Sequence, residues 1–446
     1  MMTTNTMKET VKVVEVSRVS PPPHSVPNTS LPLTFFDVFW IFIPPVQRLF
    51  FYDYSDLSNT TQFLNSDLPH LKRSLSLALQ HFYPLAGTLT LSPETHDQEI
   101  RCVDGDSVPL TIAESGSDFH RLVSDQPKDV SESHPLVPQL APQDLLALQV
   151  TIFPNAGLCI GVSVQHVVAD GRSFIHFMRS WASICRSRSD ILAISSIPIY
   201  NRTLIQDSNN HLKRLLLEQL ESYKPDKCLE TLSVAAQADA VRATFVLSRA
   251  HIERLRQRRG HVQPHCSSFV LACAHVWTCL AKARGVLSDK WEFFGFAADC
   301  RTRLDPALPE TYFGNCIGGS IATAKSSDLG GEEGLLVATE AIRKEIAEMG
   351  EGVLKDAETW IPRSSALVKE RVVSVAGSPK FRVYDTDFGW GRPRKVEIVS
   401  IEGTGAISLA ESRNRDGGIE VGLALLKPEM DRFASAFEEG LTSTLA

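Results

Sequence analysis

Residues 157–164 carry Ile160, Val162 and Val164 at every second position, the spacing of a strand. The run breaks at His166-Val-Val-Ala-Asp170-Gly171. From 173 to 185 the period becomes helical, with Phe174, Phe177, Trp181 and Ile184 on one side. A strand that ends at a histidine, turns at Asp-Gly and re-enters as a helix holds an imidazole rigidly at the rim of a cleft. Residues 145–153 pair with this strand around a Pro154-Asn155 turn. The stretch 152–181 therefore points to an α/β architecture and supplies the first candidate for chemistry.

At 446 residues the chain exceeds what one hydrophobic core supports, so two domains are expected. The first half opens on a polar, Pro-rich lead-in with one edge strand near 11–16. An aromatic-dense segment, 31–54, follows and reads mostly as core. Leucines at three- and four-residue spacing predict a helix over 68–82, and short strands follow at 88–91 and within 101–112. Residues 186–229 change character and read as a crossover, with one helix at 211–223. The second half repeats the grammar: strands at 241–247, 293–298, 371–375, 396–401, 406–411 and 418–425, and helices at 249–259, 267–283, 334–349 and 427–441. The expected fold class is α/β, each domain a mixed sheet flanked by helices. The division is 1–190, a crossover over 191–229, and 230–446.

An apolar fraction of 43% and a charged fraction of 22% are ordinary for a globular chain. A net charge of −7 gives no bulk attraction to nucleic acid or to an anionic membrane. The nine cysteines are scattered in apolar runs with no zinc spacing, so reduced thiols, no metal and a cytoplasmic location are expected. Residues 1–15 lack the apolar core of a signal peptide. The apolar run at 35–43 is too short for a bilayer and stops at Pro44-Pro45. The sequons at Asn28, Asn59 and Asn201 then read as chance. The sequence contains no G-x-S-x-G elbow, phosphate-binding loop, HExxH or G-x-G-x-x-G fingerprint, so the chemistry of those motifs loses support.

What remains is His166-x-x-x-Asp170. An alcohol attacks a thioester only if a base removes its proton as the new bond forms, and an imidazole suits that role near neutral pH. Taken alone the pattern is short and degenerate. A histidine that merely ends a strand, with Asp170 capping the next helix, explains it better. A second signal is Asp387-Phe-Gly389-Trp390-Gly391. Two glycines around a tryptophan imply a sharp turn that projects the indole, either to donate to a developing oxyanion or simply to pack.

Those motifs, about 220 residues apart and in this order, resemble the plant BAHD acyl-CoA-dependent acyltransferases. The likeness runs nearly end to end. It takes in Leu31-Pro-Leu-Thr-Phe-Phe-Asp37, Tyr83-Pro-Leu-Ala-Gly87, Ala298-Asp-Cys-Arg301 and Ser374-Val-Ala-Gly-Ser-Pro379. Tyr312-Phe-Gly-Asn-Cys316 resembles the signature of the branch that acylates anthocyanin and flavonoid glucosides. The resemblance implies two chloramphenicol-acetyltransferase-like domains with a solvent channel between them. It implies His166 as the catalytic base, taken with Asp387 as the catalytic set. Asp170 and Arg301 would form a supporting pair, and Asn315, Gly389 and Trp390 would also support the site. Acyl-CoA would serve as co-substrate, with no permanently bound cofactor.

The implied reaction moves an acyl group from acyl-CoA to a sugar hydroxyl of a phenolic glucoside, without an acyl-enzyme. A malonyl donor is favoured, with hydroxycinnamoyl close behind. Arg172 is a candidate cation for a malonyl carboxylate, and Phe36 and Trp40 are candidate substrate contacts. Lys380, Arg382, Arg392, Arg394 and Lys395 cluster near the second motif, and Lys380 and Arg394 are the candidates for CoA phosphates. A monomer with no nucleic-acid or membrane partner is expected. The rival expectations are amine acceptors and an inactive family member that serves as a binding protein.

Overall fold

The computed structural model describes residues 11–54, 60–94, 97–188, 197–223, 239–258, 266–285, 288–367, 370 and 372–442. The Asn59 sequon and parts of the expected crossover, 189–196 and 224–229, lie outside the described residues.

The strands, in chain order, are β1 (Lys12–Val19), β2 (Thr29–Pro32), β3 (Val46–Asp53), β4 (Thr88–Leu91), β5 (Gln98–Cys102), β6 (Val108–Glu114), β7 (Lys128–Asp129), β8 (Leu146–Phe153) and β9 (Gly157–Val164). They continue with β10 (Ala240–Leu247), β11 (Trp291–Asp299), β12 (Ile317–Lys325), β13 (Val373–Gly377), β14 (Lys395–Ile398), β15 (Ile407–Glu411) and β16 (Ile419–Leu426). One sheet has the order β1-β6-β8-β9-β3-β14, a second β12-β11-β13-β15-β16-β10-β7, and a small third β2-β5-β4. Both large sheets are mixed: β6 runs parallel to β8, and β13 runs parallel to β11 and β15. Helices cover them, and the two largest apolar cores belong one to each half.

β8 and β9 are buried at every position, which explains their nearly continuous apolar sequences. The helix Gly171–Ser187 begins where Asp170 accepts a hydrogen bond from the Ser173 amide, 2.9 Å away. It ends at Arg188 in the left-handed conformation, φ 50°. A side-chain cap of this kind contributes about 1 kcal/mol. Phe174, Phe177, Met178 and Trp181 of this helix are buried in the first core. The cap thus fixes the end of the helix that lies closest to His166.

Three features differ from expectation. The helix expected over 68–82 spans Thr60–His81, with Pro69 inside it. Phe63 and Thr60 extend its buried face by two turns, and that burial outweighs the one backbone donor Pro69 lacks. Phe35 and Phe36 join the second core, beside Leu216 and Leu220 of the helix His211–Tyr223, although they lie early in the chain. The two large sheets also exchange edge strands. β14 pairs antiparallel with β3 in the first sheet, and β7 pairs with β10 in the second. Alternation reveals a strand but not its partner, so this exchange was invisible in the sequence. The exchanged strands are joined by a buried ion pair, Lys128 Nζ to Glu397 Oε1 at 2.8 Å. Burial alone would raise the Glu397 pKa, but Lys128, Lys395 and Arg242 together bring it below the ordinary value.

Candidate active site

A cavity of about 1610 Å³ lies between the two halves and is lined by residues of both. His166, just beyond the end of β9, borders it from the first half, and Ser374 of β13 and Ile419 of β16 border it from the second. His166 is wedged between two partners. The indole of Trp40 stacks on the imidazole with centroids 3.7 Å apart and 13° between the planes. The imidazole's edge meets the second, with His166 Nδ1 3.1 Å from Asn315 Oδ1.

Asn315 settles which imidazole nitrogen carries the proton. Its Nδ2 faces three acceptors: Asp37 Oδ1 at 3.0 Å, the His166 carbonyl at 2.9 Å and the Val167 carbonyl at 3.1 Å. The amide oxygen is therefore the atom turned to the ring, and only a protonated Nδ1 can donate to it. Nε2 is left with its lone pair free. Desolvation holds the imidazole at about 4, against its own backbone carbonyl, Asp170 and Asn315, which favour the charged form; Arg48 adds to the lowering. The ring is neutral at physiological pH.

Asp170, 1% exposed, and Arg301, 0% exposed, are brought together, with Nη1 to Oδ2 at 2.9 Å. Asp170 Oδ2 also accepts from the Cys316 amide at 3.1 Å, so neither carboxylate oxygen faces the cavity alone. Arg301 pairs in addition with Asp299 at 3.0 Å and donates to the Ser173 hydroxyl and the Gly314 carbonyl at 3.0 and 3.1 Å. Burial works against its charge, but Asp170 and Asp299 outweigh it and hold the guanidinium above its ordinary value. The pair ties the start of the helix Gly171–Ser187 to the loop before β12.

The other expected residues are placed as follows. Phe36 lines the cavity, as does Trp40. Arg172 also borders it, but Asp299 at 2.7 Å and Glu310 at 3.4 Å already face its guanidinium. Lys380 borders the cavity, whereas Arg394 does not and lies beside Asp53 at 4.0 Å. Asp387 gathers the Gly389 and Gly391 amides at 2.8 and 3.0 Å and lies 3.4 Å from Arg186. Both glycines have the positive φ this loop requires, 105° and 91°. The Trp390 indole does not reach the cavity: its N–H donates to Asp67 Oδ1 at 3.2 Å, and its rings pack on Tyr52, Tyr54 and Phe388. The Asp-Phe-Gly-Trp-Gly loop thus fastens onto the first half just before β14 enters its sheet.

Two residues escaped the sequence reading. Asp37, fully buried, accepts from Asn315 through Oδ1 and from the Thr34 amide and hydroxyl through Oδ2 at 2.7 and 2.8 Å. The Thr34-x-x-Asp37 spacing of a capping box was its signal. Arg48, a lone cation in the apolar β3, lines the cavity.

A second histidine, His275, is buried beside Phe437, and desolvation holds it too at about 4. Between that value and about 6.5 the folded chain binds fewer protons than the unfolded chain. Folding stability is therefore expected to fall as pH drops through this window. Denaturant midpoints measured at about pH 7 and about pH 5 check it; a midpoint unchanged or higher at the lower pH would contradict both environments.

A histidine bordering a cavity between two mixed-sheet domains narrows the class of protein, and the comparisons with known proteins specify it. A family model described as the Transferase family matches residues 9–440, and the chain belongs to this family, that of the BAHD acyltransferases. A Dahlia pinnata malonyl-coenzyme A:anthocyanin 3-O-glucoside-6''-O-malonyltransferase is 36% identical over 97% of this chain and 98% of its own length. An Arabidopsis thaliana phenolic glucoside malonyltransferase 2 is 39% identical over 97% and 100%. An Arabidopsis thaliana coumaroyl-CoA:anthocyanidin 3-O-glucoside-6''-O-coumaroyltransferase 1 is 39% identical over 96% and 97%. Among solved structures, vinorine synthase superposes with a TM-score of 0.69 at 18% identity, covering 95% of this chain and 96% of its own. F. graminearum TRI101 complexed with Coenzyme A and T-2 mycotoxin superposes at 0.68 and 15% identity, covering 91% and 97%. The fold is that of two chloramphenicol-acetyltransferase-like domains. Among the described residues no helix is long and apolar enough to cross a membrane, and no group of side chains is arranged to hold a metal ion.

Proposed function

We propose that this chain transfers an acyl group from acyl-CoA to a sugar hydroxyl of a phenolic or flavonoid glucoside, with His166 as general base. The observation that carries the proposal is the imidazole whose Nδ1 is held by Asn315 and whose side chain borders a cavity shared by both halves. In this reading Nε2 removes the hydroxyl proton as the oxygen attacks the thioester carbonyl. The tetrahedral oxyanion collapses, the C–S bond breaks, and the CoA thiolate recovers the proton from the imidazolium. Trp40 and Asn315 hold the ring plane, and the Asp170–Arg301 pair holds its mount. Asp387 acts at one remove, by shaping the loop that docks Trp390. Lys380, exposed at the cavity, is a candidate contact for a CoA phosphate.

Malonyl and hydroxycinnamoyl donors both fit the relatives, whose names include each. Eight free cysteines among the described residues support a reducing, cytoplasmic location. The test is a panel of malonyl-, coumaroyl-, caffeoyl- and acetyl-CoA against flavonoid glucosides and a polyamine, with products read by mass. Acylated glucoside is expected. Acylated polyamine with no acylated glucoside would overturn the acceptor assignment, and no transfer from any donor would overturn the activity.

A further inference from the structure

Among the described residues, the buried arginines are matched by anions or carbonyls, with one exception. Arg301 has Asp170 and Asp299. Arg242 meets Glu402 at 2.5 Å. Arg202 donates to the Tyr312 hydroxyl at 2.6 Å and the Phe313 carbonyl at 3.1 Å. Arg48 is 4% exposed and makes no hydrogen bond or ion pair with any described residue. Its Nε is enclosed without an acceptor, and its guanidinium lies over the Phe174 ring, 5.9 Å from the centroid.

The placement is specific. Arg48 sits in the middle of β3, opposite Val162 of β9 and Ile398 of β14, and its side chain borders the same cavity as His166. Its charge is felt by the His166 imidazole, so it stands close to the reacting centre. A buried cation without a partner costs several kcal/mol, and an aromatic face offsets only part of that. A planar guanidinium is matched best by a carboxylate, which takes two parallel hydrogen bonds from it.

We infer that Arg48 is the receptor for the distal carboxylate of the acyl donor, which makes the preferred donor the CoA thioester of a short dicarboxylic acid such as malonate. The inference rests on the acyl-transfer reading above and names the donor within it. When the thioester carbon lies at His166, the CoA phosphates are a full pantetheine arm away, so Arg48 cannot serve them. A carboxylate one methylene beyond the carbonyl stays within the same part of the cavity. A hydroxycinnamoyl group would leave the guanidinium with ring contacts alone. Arg172, a candidate cation in the sequence reading, already has Asp299 and Glu310 and is the poorer receptor.

The test compares wild type with Arg48→Gln and Arg48→Lys. The kcat/KM ratio for malonyl-CoA over acetyl-CoA is measured on one glucoside, and the ratio of dissociation constants by calorimetry. Arg48→Gln is expected to lower the malonyl-to-acetyl ratio at least about 30-fold, the size of a lost buried charge pair. Arg48→Lys, which keeps the charge without the fork, should retain part of the preference and shows that a loss does not come from misfolding. Equal loss for both donors would overturn the inference and make Arg48 an oxyanion or structural group, and an unchanged ratio would overturn it outright. The binding arm separates the two readings. A malonyl preference in binding that Arg48→Gln erases supports the receptor even if no glucoside is acylated, and in that case only the acyl-transfer reading fails.

Discussion

His166→Ala is expected to reduce acyl transfer about 10²- to 10⁴-fold, the usual contribution of a positioned general base. The loss should fall on kcat, because the imidazole acts as the proton moves and not as substrate binds. Folding should survive, since His166 keeps part of its surface in the cavity and the ring is neutral. The structural changes are that Trp40 loses its stacking partner and Asn315 Oδ1 loses the ring N–H that faces it. In the wild type the acid limb of kcat/KM should lie below 6.5, toward about 4, because burial disfavours the imidazolium. Turnover of His166→Ala at the wild-type rate would sink the mechanism. An acid limb at or above 6.5 would show that the ring is better solvated than its surroundings imply.

Arg301→Met is expected to cost about 3–5 kcal/mol of folding stability, the penalty for stripping one partner from a buried ion pair. Asp170 would be left as a carboxylate 1% exposed, with only amide donors. The Ser173 hydroxyl and the Tyr312 and Gly314 carbonyls would each lose one of their donors as well. Methionine fills similar volume, so the loss reports on charge more than on a void. Adding Asp170→Leu to the same chain should cost less than the sum of the two single changes, because the second removes the stranded charge. Denaturant midpoints at a constant slope measure this. A loss under about 1 kcal/mol for Arg301→Met would show that the pair is not an anchor of the fold.

The local elements were legible because they are written in short-range patterns. The β8–β9 pair, the break at His166 and the capped helix after Asp170 each follow from spacing within about twenty residues. Partnerships over long separations left weaker marks. Asp170 and Arg301 could be paired only through a family likeness, since nothing in either segment names the other. Asp37 reaches Asn315 across the chain, and its capping-box spacing announces a helix start, not a role beneath the histidine. Trp390 shows the opposite failure: flanking glycines suggested a projecting indole, but the nearest acceptor, Asp67, drew its N–H away from the cavity. Arg48 reads in sequence as one charge in an apolar strand. Its meaning depends on which face the sheet turns to the cavity.

The exchange of β7 and β14 ties the site to the order in which the chain is made. Lys128 is synthesised long before Glu397, and until β14 arrives the β3 edge of the first sheet has no strand beside it. A nascent first half would therefore hold Arg48 on an open-edged strand, exposed to pairing with other chains. The segment that closes this edge enters directly after the loop that docks Trp390 onto Asp67. Completion of the fold and completion of the cavity are then one late event in biogenesis, and neither half made alone would be a finished unit.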